Sequence, residues 1–192
     1  MAHIGAHIAL SVSALVVALA VGIPLGASAA RNRTLRTFSL GTVNVVRVIP
    51  SLAILTLALP YLGLGFRPAL VALAVLAIPP IVVNTDLGLR SVAATVLEAA
   101  QAVGMTRAQI RNRVEWPLAM PIVFAGVRTA AVEVIASATL AAFIGGGGLG
   151  EYVVNGLANN DTGALLEGGL SVAVLALATE YSLSALGRRL AR

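Results

Sequence analysis

Arg47, Arg128, Glu133 and Glu180 lie inside long apolar stretches of this chain, where a charged side chain needs a partner. Near a bilayer centre a charge costs at least about 2.5 kcal/mol, so such a group faces protein or water. Arg128 and Glu133 are five residues apart. At 3.6 residues per turn that is about 140° around a helix, a poor geometry for pairing with each other. Each is therefore expected to meet another helix, for example Arg47 with Glu133 or Glu180. Two chemistries fit these residues. One is a structural network of ion pairs between helices. The other is a translocation pathway that passes a polar solute along Arg47, Pro50, Ser51, Arg128 and Glu133.

A second set of polar residues is contiguous. Residues 88–116 form the one long charged, helix-competent segment, with Glu98, Arg107, Arg111 and Arg113. Thr95 followed by Glu98 reads as a capping box that opens a helix. Gly104 falls where a helix ends on a left-handed residue, and Thr106 with Gln109 reads as a second capping box. Pro117 then begins the next apolar run, at a position where a missing N–H costs nothing. The expectation is a helix-bend-helix rich in guanidinium groups at a membrane face, which is a docking element.

Enzymatic and metal chemistry have little to work with. The chain has no Cys, so it has neither disulfides nor thiolate ligands. No phosphate-binding glycine loop followed by Lys occurs, and the glycine run at 145–148 has no Lys. His3 and His7 are the only histidines. With no further ligands nearby they read as interfacial side chains rather than metal ligands, and they complete no Ser–His–acid set. The chain is expected to carry no catalytic residue, metal or cofactor. Its formal charge of +5 is assigned to membrane topology and not to nucleic acid.

The elements that must position these residues are membrane spans. Hydrophobic residues make up 58% of the chain and charged residues 11%, with a mean hydropathy of +0.94. A soluble domain would carry about a quarter of its residues charged. Charge-poor runs mark spans near 7–29, 40–62, 69–84, 118–143 and 164–187. Each must be a helix, because a lone apolar segment cannot otherwise satisfy its backbone in lipid. The second is interrupted by Arg47 and Pro50, and Pro79-Pro80 is expected to bend or break the third.

Arginine placement sets the orientation. Arg31, Arg33 and Arg36 follow the first span; Arg90, Arg107, Arg111 and Arg113 follow the third; Arg188, Arg189 and Arg192 follow the fifth. Five spans put these clusters on one side, which the positive-inside rule makes the cytoplasm. The N-terminus is then outside, the C-terminus inside, and the glycine-rich connection with Glu151 and Asp161 faces outward. Ala27-Ser28-Ala29 resembles a signal-peptide cleavage site. However, no Arg or Lys precedes the apolar run and three Arg follow it, the reverse of a signal peptide's polarity. The first helix is expected to stay in place.

Glu98-Ala99-Ala100, with Gly104, Val114 and Pro117 behind it, resembles the "EAA loop" of bacterial ABC importer permeases. The resemblance implies a coupling helix seated in a groove of a cytoplasmic ATPase dimer, with Glu98, Ala99, Ala100, Gly104, Arg107, Arg111 and Pro117 at the contact. Trp116 stands where that pattern usually has Leu. Five spans match the minimal core of the MetI-like permeases, so the chain over 1–192 is identified as one all-α transmembrane type-1 domain. Arg47-Val48-Ile49-Pro50-Ser51-Leu52-Ala53 is similar to permeases for glycine betaine, choline, carnitine and related osmoprotectants. So are Gly126-Val127-Arg128-Thr129-Ala130-Ala131, Ala141-Ala142-Phe143-Ile144-Gly145, Leu149-Gly150 and Gly156-Leu157-Ala158. Glu133 departs from that group, where a neutral residue such as Gln is expected.

The resemblance implies a multi-pass permease of the bacterial plasma membrane, powered by a separate ATPase and fed by an external substrate-binding protein. Five helices are too few to enclose a polar path, so a second copy or a related permease is expected, with lipid around both. Tyr61, Phe66, Trp116, Phe143 and Tyr152 sit near predicted interfaces as an aromatic belt, not as a cage for an ammonium group. Glu133 is then the group to face a trimethylammonium cation. Residues 145–148 should make an outer bend, and 151–155 a short surface helix. Two alternatives remain: a permease of the same fold for methionine or another amino acid, and an ATP-independent channel or membrane scaffold.

Overall fold

The computed structural model describes residues 2–190, and every regular element among them is helical. Arg192, counted above with the last arginine cluster, lies outside the described residues. Helix α1 (Ala2–Arg31) contains the first expected span and overruns it at both ends. Asn32 caps α2 (Arg33–Val48), its side-chain oxygen accepting from the N–H groups of Thr34 and Leu35. Helix α3 (Ser51–Leu62) follows at 98°. Ile49, the residue before proline, is held extended at φ −74°, ψ 125°, and Pro50 has no N–H to continue the ladder. The second span, expected over 40–62, is thus two helices at an angle that begin earlier, at Arg33.

Helix α4 (Phe66–Arg90) runs unbroken through Pro79 and Pro80, so the break, one of the two outcomes expected there, does not occur. The prolines remove the donors for the Val75 and Leu76 carbonyls. The helix survives because it is buried along its length between neighbouring helices. Asn84 adds a side-chain bond to the Pro80 carbonyl at 2.8 Å. The docking segment follows as α5 (Ala94–Ala102) and α6 (Arg107–Ile110). A π-helical turn (Arg111–Glu115) then runs into α7 (Trp116–Ala138). A 3-10 turn (Leu140–Ile144) closes the fourth span before the glycine bend, α8 (Gly150–Asn159) and α9 (Thr162–Leu190).

Contacts at the two ends fix the helix directions. At one end Arg31 closes α1 3.3 Å from Glu115, and Arg36 of α2 and Arg90 of α4 flank Asp86. At the other, the Gly65 N–H donates to the Ile144 carbonyl at 2.8 Å. Helix α9 starts against Tyr152 and Val153 and ends against Phe124. So α1, α4 and α9 run one way, while α2 with α3 and α7 run the other. Helices α1, α4 and α9, and the continuous helical stretch Arg107–Ala138 that ends in α7, are each long and apolar enough to cross a membrane, and the bent α2–α3 pair makes a fifth if taken as one span. Arg31, Arg36, Arg90 and Arg188 lie toward one end, while Arg67 and the glycines at 145–148 lie at the other.

The core is the seam of α1, α4 and α7. Leu10 and Ala14 of α1 pack with Leu73 and Ile81 of α4 and with Ala130 and Val134 of α7. Small residues bring the backbones together. A Cβ on Gly26 would lie 2.7 Å from the Val82 carbonyl oxygen, and one on Gly126 would lie 2.6 Å from that of Pro80. The outward surfaces of α2, α3 and α9 remain apolar at Phe38, Val48, Leu57, Tyr61 and Val174, as contact with lipid or a partner helix requires.

Candidate functional site

The docking segment is assembled from short-range signals. Helix α5 begins at Ala94 after an Ala93 that makes no side-chain cap, so the Thr95–Glu98 capping box does not open it. Alanine's helix propensity starts the helix two residues early and puts Thr95 inside the first turn. At the far end Gly104 sits at φ +80°. The Met105 N–H donates to the Ala100 carbonyl at 3.2 Å and the Gly104 N–H to that of Gln101 at 2.9 Å. That is a Schellman motif with glycine at its left-handed position. The Thr106–Gln109 capping box is present, with bonds of 3.3 and 2.8 Å. Glu98, Ala99, Arg107 and Arg111 are exposed, whereas Ala100 and Ile110 are buried. The bend therefore offers one carboxylate and two guanidinium groups on a fixed two-helix frame.

Pro117 is the second residue of α7, and the helix is already running when it arrives. The preceding π-helical turn carries the Trp116 N–H back to the Arg111 carbonyl, so the helix crosses the position where Pro117 offers Arg113 no donor. Trp116 packs against Leu89, Ala119 and Val123. Its indole fills the joint between α4 and α7.

A cavity of about 260 Å³ opens where α2 breaks from α3. Arg47, Pro50 and Ser51 line it from the break, Pro79 from α4, and Glu133 and Ser137 from α7. Among the described residues neither Arg47 nor Glu133 takes part in an ion pair. The expected pairing of Arg47 with Glu180 does not occur. Glu180 on α9 instead lies 3.4 Å from Arg128 on α7. Arg128 thus stands apart from the other four pathway residues and ties two helices together.

Residues 22–192 match the family described as binding-protein-dependent transport system inner membrane components. The chain belongs to this family. The permease is 41% identical to the carnitine transport permease protein OpuCB of Listeria monocytogenes, over 96% of its own length and 84% of that relative's. It is 40% identical to the choline transport system permease protein OpuBB of Bacillus subtilis (strain 168), over 96% and 85%. Its fold matches a chain of the inward-facing MetNI methionine ABC transporter with a TM-score of 0.86, covering 97% of the permease and 94% of that chain. At 22% identity this last likeness is one of fold alone. The permease is a multi-pass helical membrane subunit of the ABC importer class.

Two side chains of the permease carry more structure than their sequence context suggests. His7, expected at an interface, is fully buried. Its Nε2 lies 3.0 Å from the Ile135 carbonyl oxygen, and its Nδ1 accepts from the Leu149 N–H at 3.3 Å. Helix α7 tightens at its end, where the Thr139 N–H turns to the Ala136 carbonyl. That leaves the Ile135 carbonyl without its helical donor, and His7 supplies one. His3, one turn away, does reach the surface, 3.1 Å from Glu151 and edge-on to Tyr152. Asp86 is the second, 3% exposed, with the Nε atoms of Arg36 and Arg90 at 3.4 and 3.2 Å. Only its i, i+4 spacing to Arg90 signalled this in the sequence.

Proposed function

We propose that the permease forms the translocation pathway of a binding-protein-dependent importer for a quaternary-ammonium osmoprotectant: glycine betaine, choline or carnitine. The polar cavity at the α2–α3 break carries this reading, because it places Arg47, Ser51 and Glu133 around one space inside otherwise apolar helices. The carnitine and choline permeases it resembles support the substrate class.

In this reading residues 1–192 are one transmembrane domain of five spans, with α2 and α3 together making the second. The alternating helix directions support that count. The positive-inside rule puts the arginine-rich end in the cytoplasm, with the N-terminus outside and the C-terminus inside. The α5–α6 bend is then the coupling element for a separate ATPase dimer, and this chain itself catalyses nothing. Glu98 accepts hydrogen bonds from the ATPase, Ala99 and Ala100 set the close contact, and Arg107 and Arg111 supply charge. Gly104 holds the bend, and Pro117 lies where its motion enters α7. ATP-driven closure reaches the cavity through α4 and α7 and alternates its access between the two sides.

Arg47 and Glu133 are exposed on the single chain, which suits completion of the pathway by a second copy or a related permease. An external binding protein delivers solute at the end formed by residues 145–148 and α8, and anionic lipid borders the arginine-rich end. The test is uptake by proteoliposomes holding the permease, its partner permease if there is one, the ATPase and the binding protein. Labelled glycine betaine or choline should enter only with ATP. Methionine uptake alone would overturn the substrate class, and ATP-independent flux would overturn the importer.

A further inference from the structure

We infer that the cavity at the α2–α3 break is a subsite for a zwitterion, reading a carboxylate with Arg47 and a quaternary ammonium with Glu133 at the same time. This rests on the importer reading and adds that selection is repeated inside the membrane by this chain's own residues. Two unlike charges line one cavity, and Arg47 acts on Glu133 across it, yet neither makes an ion pair within 4.0 Å among the described residues. In apolar surroundings such charges need a counter-charge. A cation alone would satisfy Glu133 and oppose Arg47, and an anion alone would do the reverse. A dipolar solute satisfies both.

The backbone polarises the cavity in the same sense. Pro80 offers no N–H to the carbonyl of Leu76, a lining residue on the α4 wall, so a partial negative charge joins that of Glu133. Helix α3 begins at Ser51, a lining residue like Arg47, with no side-chain cap. The Ala53 and Ile54 N–H groups turn to the Pro50 carbonyl, and those of Ser51 and Leu52 have no helical acceptor. Leu76 and Pro79 give N-methyl groups an apolar wall, and the Ser51 and Ser137 hydroxyls can bond a carboxylate. At about 260 Å³ the space falls below the ~300–1,000 Å³ of drug-sized sites, so it suits a solute of few heavy atoms.

The test is displacement of radiolabelled glycine betaine from the complete transporter in nanodiscs, without the binding protein. The competitors are glycine betaine, choline, and 3,3-dimethylbutanoate, in which an uncharged tert-butyl group replaces trimethylammonium. Glycine betaine should displace at concentrations about tenfold or more below either of the others. Arg47→Gln should bring choline level with glycine betaine, and Glu133→Gln should do so for 3,3-dimethylbutanoate. Arg47→Lys and Glu133→Asp should keep the original order. Each readout is a ratio, so a smaller folded fraction does not change it. A double Arg47→Gln, Glu133→Gln variant that regains wild-type binding would show a plain ion pair and overturn the subsite. So would absence of saturable binding, or an unchanged order in the single variants, in a transporter that still takes up glycine betaine with ATP. Failure of that uptake in the wild type would instead overturn the importer reading, and the subsite with it.

Discussion

His7 donates from Nε2 to the Ile135 carbonyl at 3.0 Å while its Nδ1 accepts from the Leu149 N–H at 3.3 Å. A carbonyl only accepts and an amide N–H only donates, so the ring is held as the neutral Nε2–H tautomer. One side chain thereby joins α1, the end of α7 and the glycine bend. His7→Leu should leave both backbone groups buried and unpaired, at a cost of about 2–4 kcal/mol. The thermal midpoint of the purified complex should fall accordingly, and His7→Gln, with one donor and one acceptor, should recover part of the loss. A His7→Leu protein as stable as the wild type would remove this role.

The coupling bend is testable through Gly104. Its φ of +80° suits glycine, and a Cβ there would meet nothing within 4 Å. Gly104→Leu therefore introduces backbone strain of about 1–2 kcal/mol without a clash. The bend should change shape while the spans insert normally. Reconstituted transporter carrying Gly104→Leu or Glu98→Lys should lose ATP-dependent uptake, with membrane yield unchanged. Normal uptake in both variants would sink the coupling assignment.

What the sequence reveals here depends on how far apart the partners lie. Gly104 and the Thr106–Gln109 box are legible because their hydrogen bonds close within a few residues. Pro50 is legible as a break because its steric effect falls on its own neighbour, Ile49. Pro79 and Pro80 mislead if read as a break, since burial between neighbouring helices outweighs the two lost donors. The intramembrane charges are half legible. Residue types nominate Arg47, Arg128, Glu133 and Glu180, but only the packing shows that Arg128 takes Glu180 and leaves Arg47 to share a cavity with Glu133. His7 is illegible because its acceptor lies 128 residues away.

Asp86 holds two arginines from different helices at the arginine-rich end. Its carboxylate is buried, while Arg36 and Arg90 each keep 37% of their side chains exposed. Removing the carboxylate leaves guanidinium groups that can turn to water. The loss should therefore be about 1–2 kcal/mol, short of the 3–5 kcal/mol for breaking a fully buried pair. Asp86→Ala should lower the melting temperature and weaken the α2–α4 contact, read as faster proteolysis near Asn32. An unchanged cleavage pattern would argue against the clamp.

Gly126 decides how closely α7 approaches α4, and these two helices form facing walls of the polar cavity. A Cβ there would lie 2.6 Å from the Pro80 carbonyl oxygen, which is backbone and cannot swing aside. Gly126→Ala must push the helices apart, at a cost of about 1–3 kcal/mol typical of overpacking. The displacement falls nearly two turns from Glu133 along α7, so uptake should suffer along with stability. Gly41 in α2 is the matched control, because a Cβ there meets nothing within 4 Å. Gly41→Ala should raise the melting temperature slightly, since alanine is favoured over glycine within a helix by about 1 kcal/mol. If Gly126→Ala melted and transported like Gly41→Ala, the α4–α7 seam would not be as tight as the structure has it.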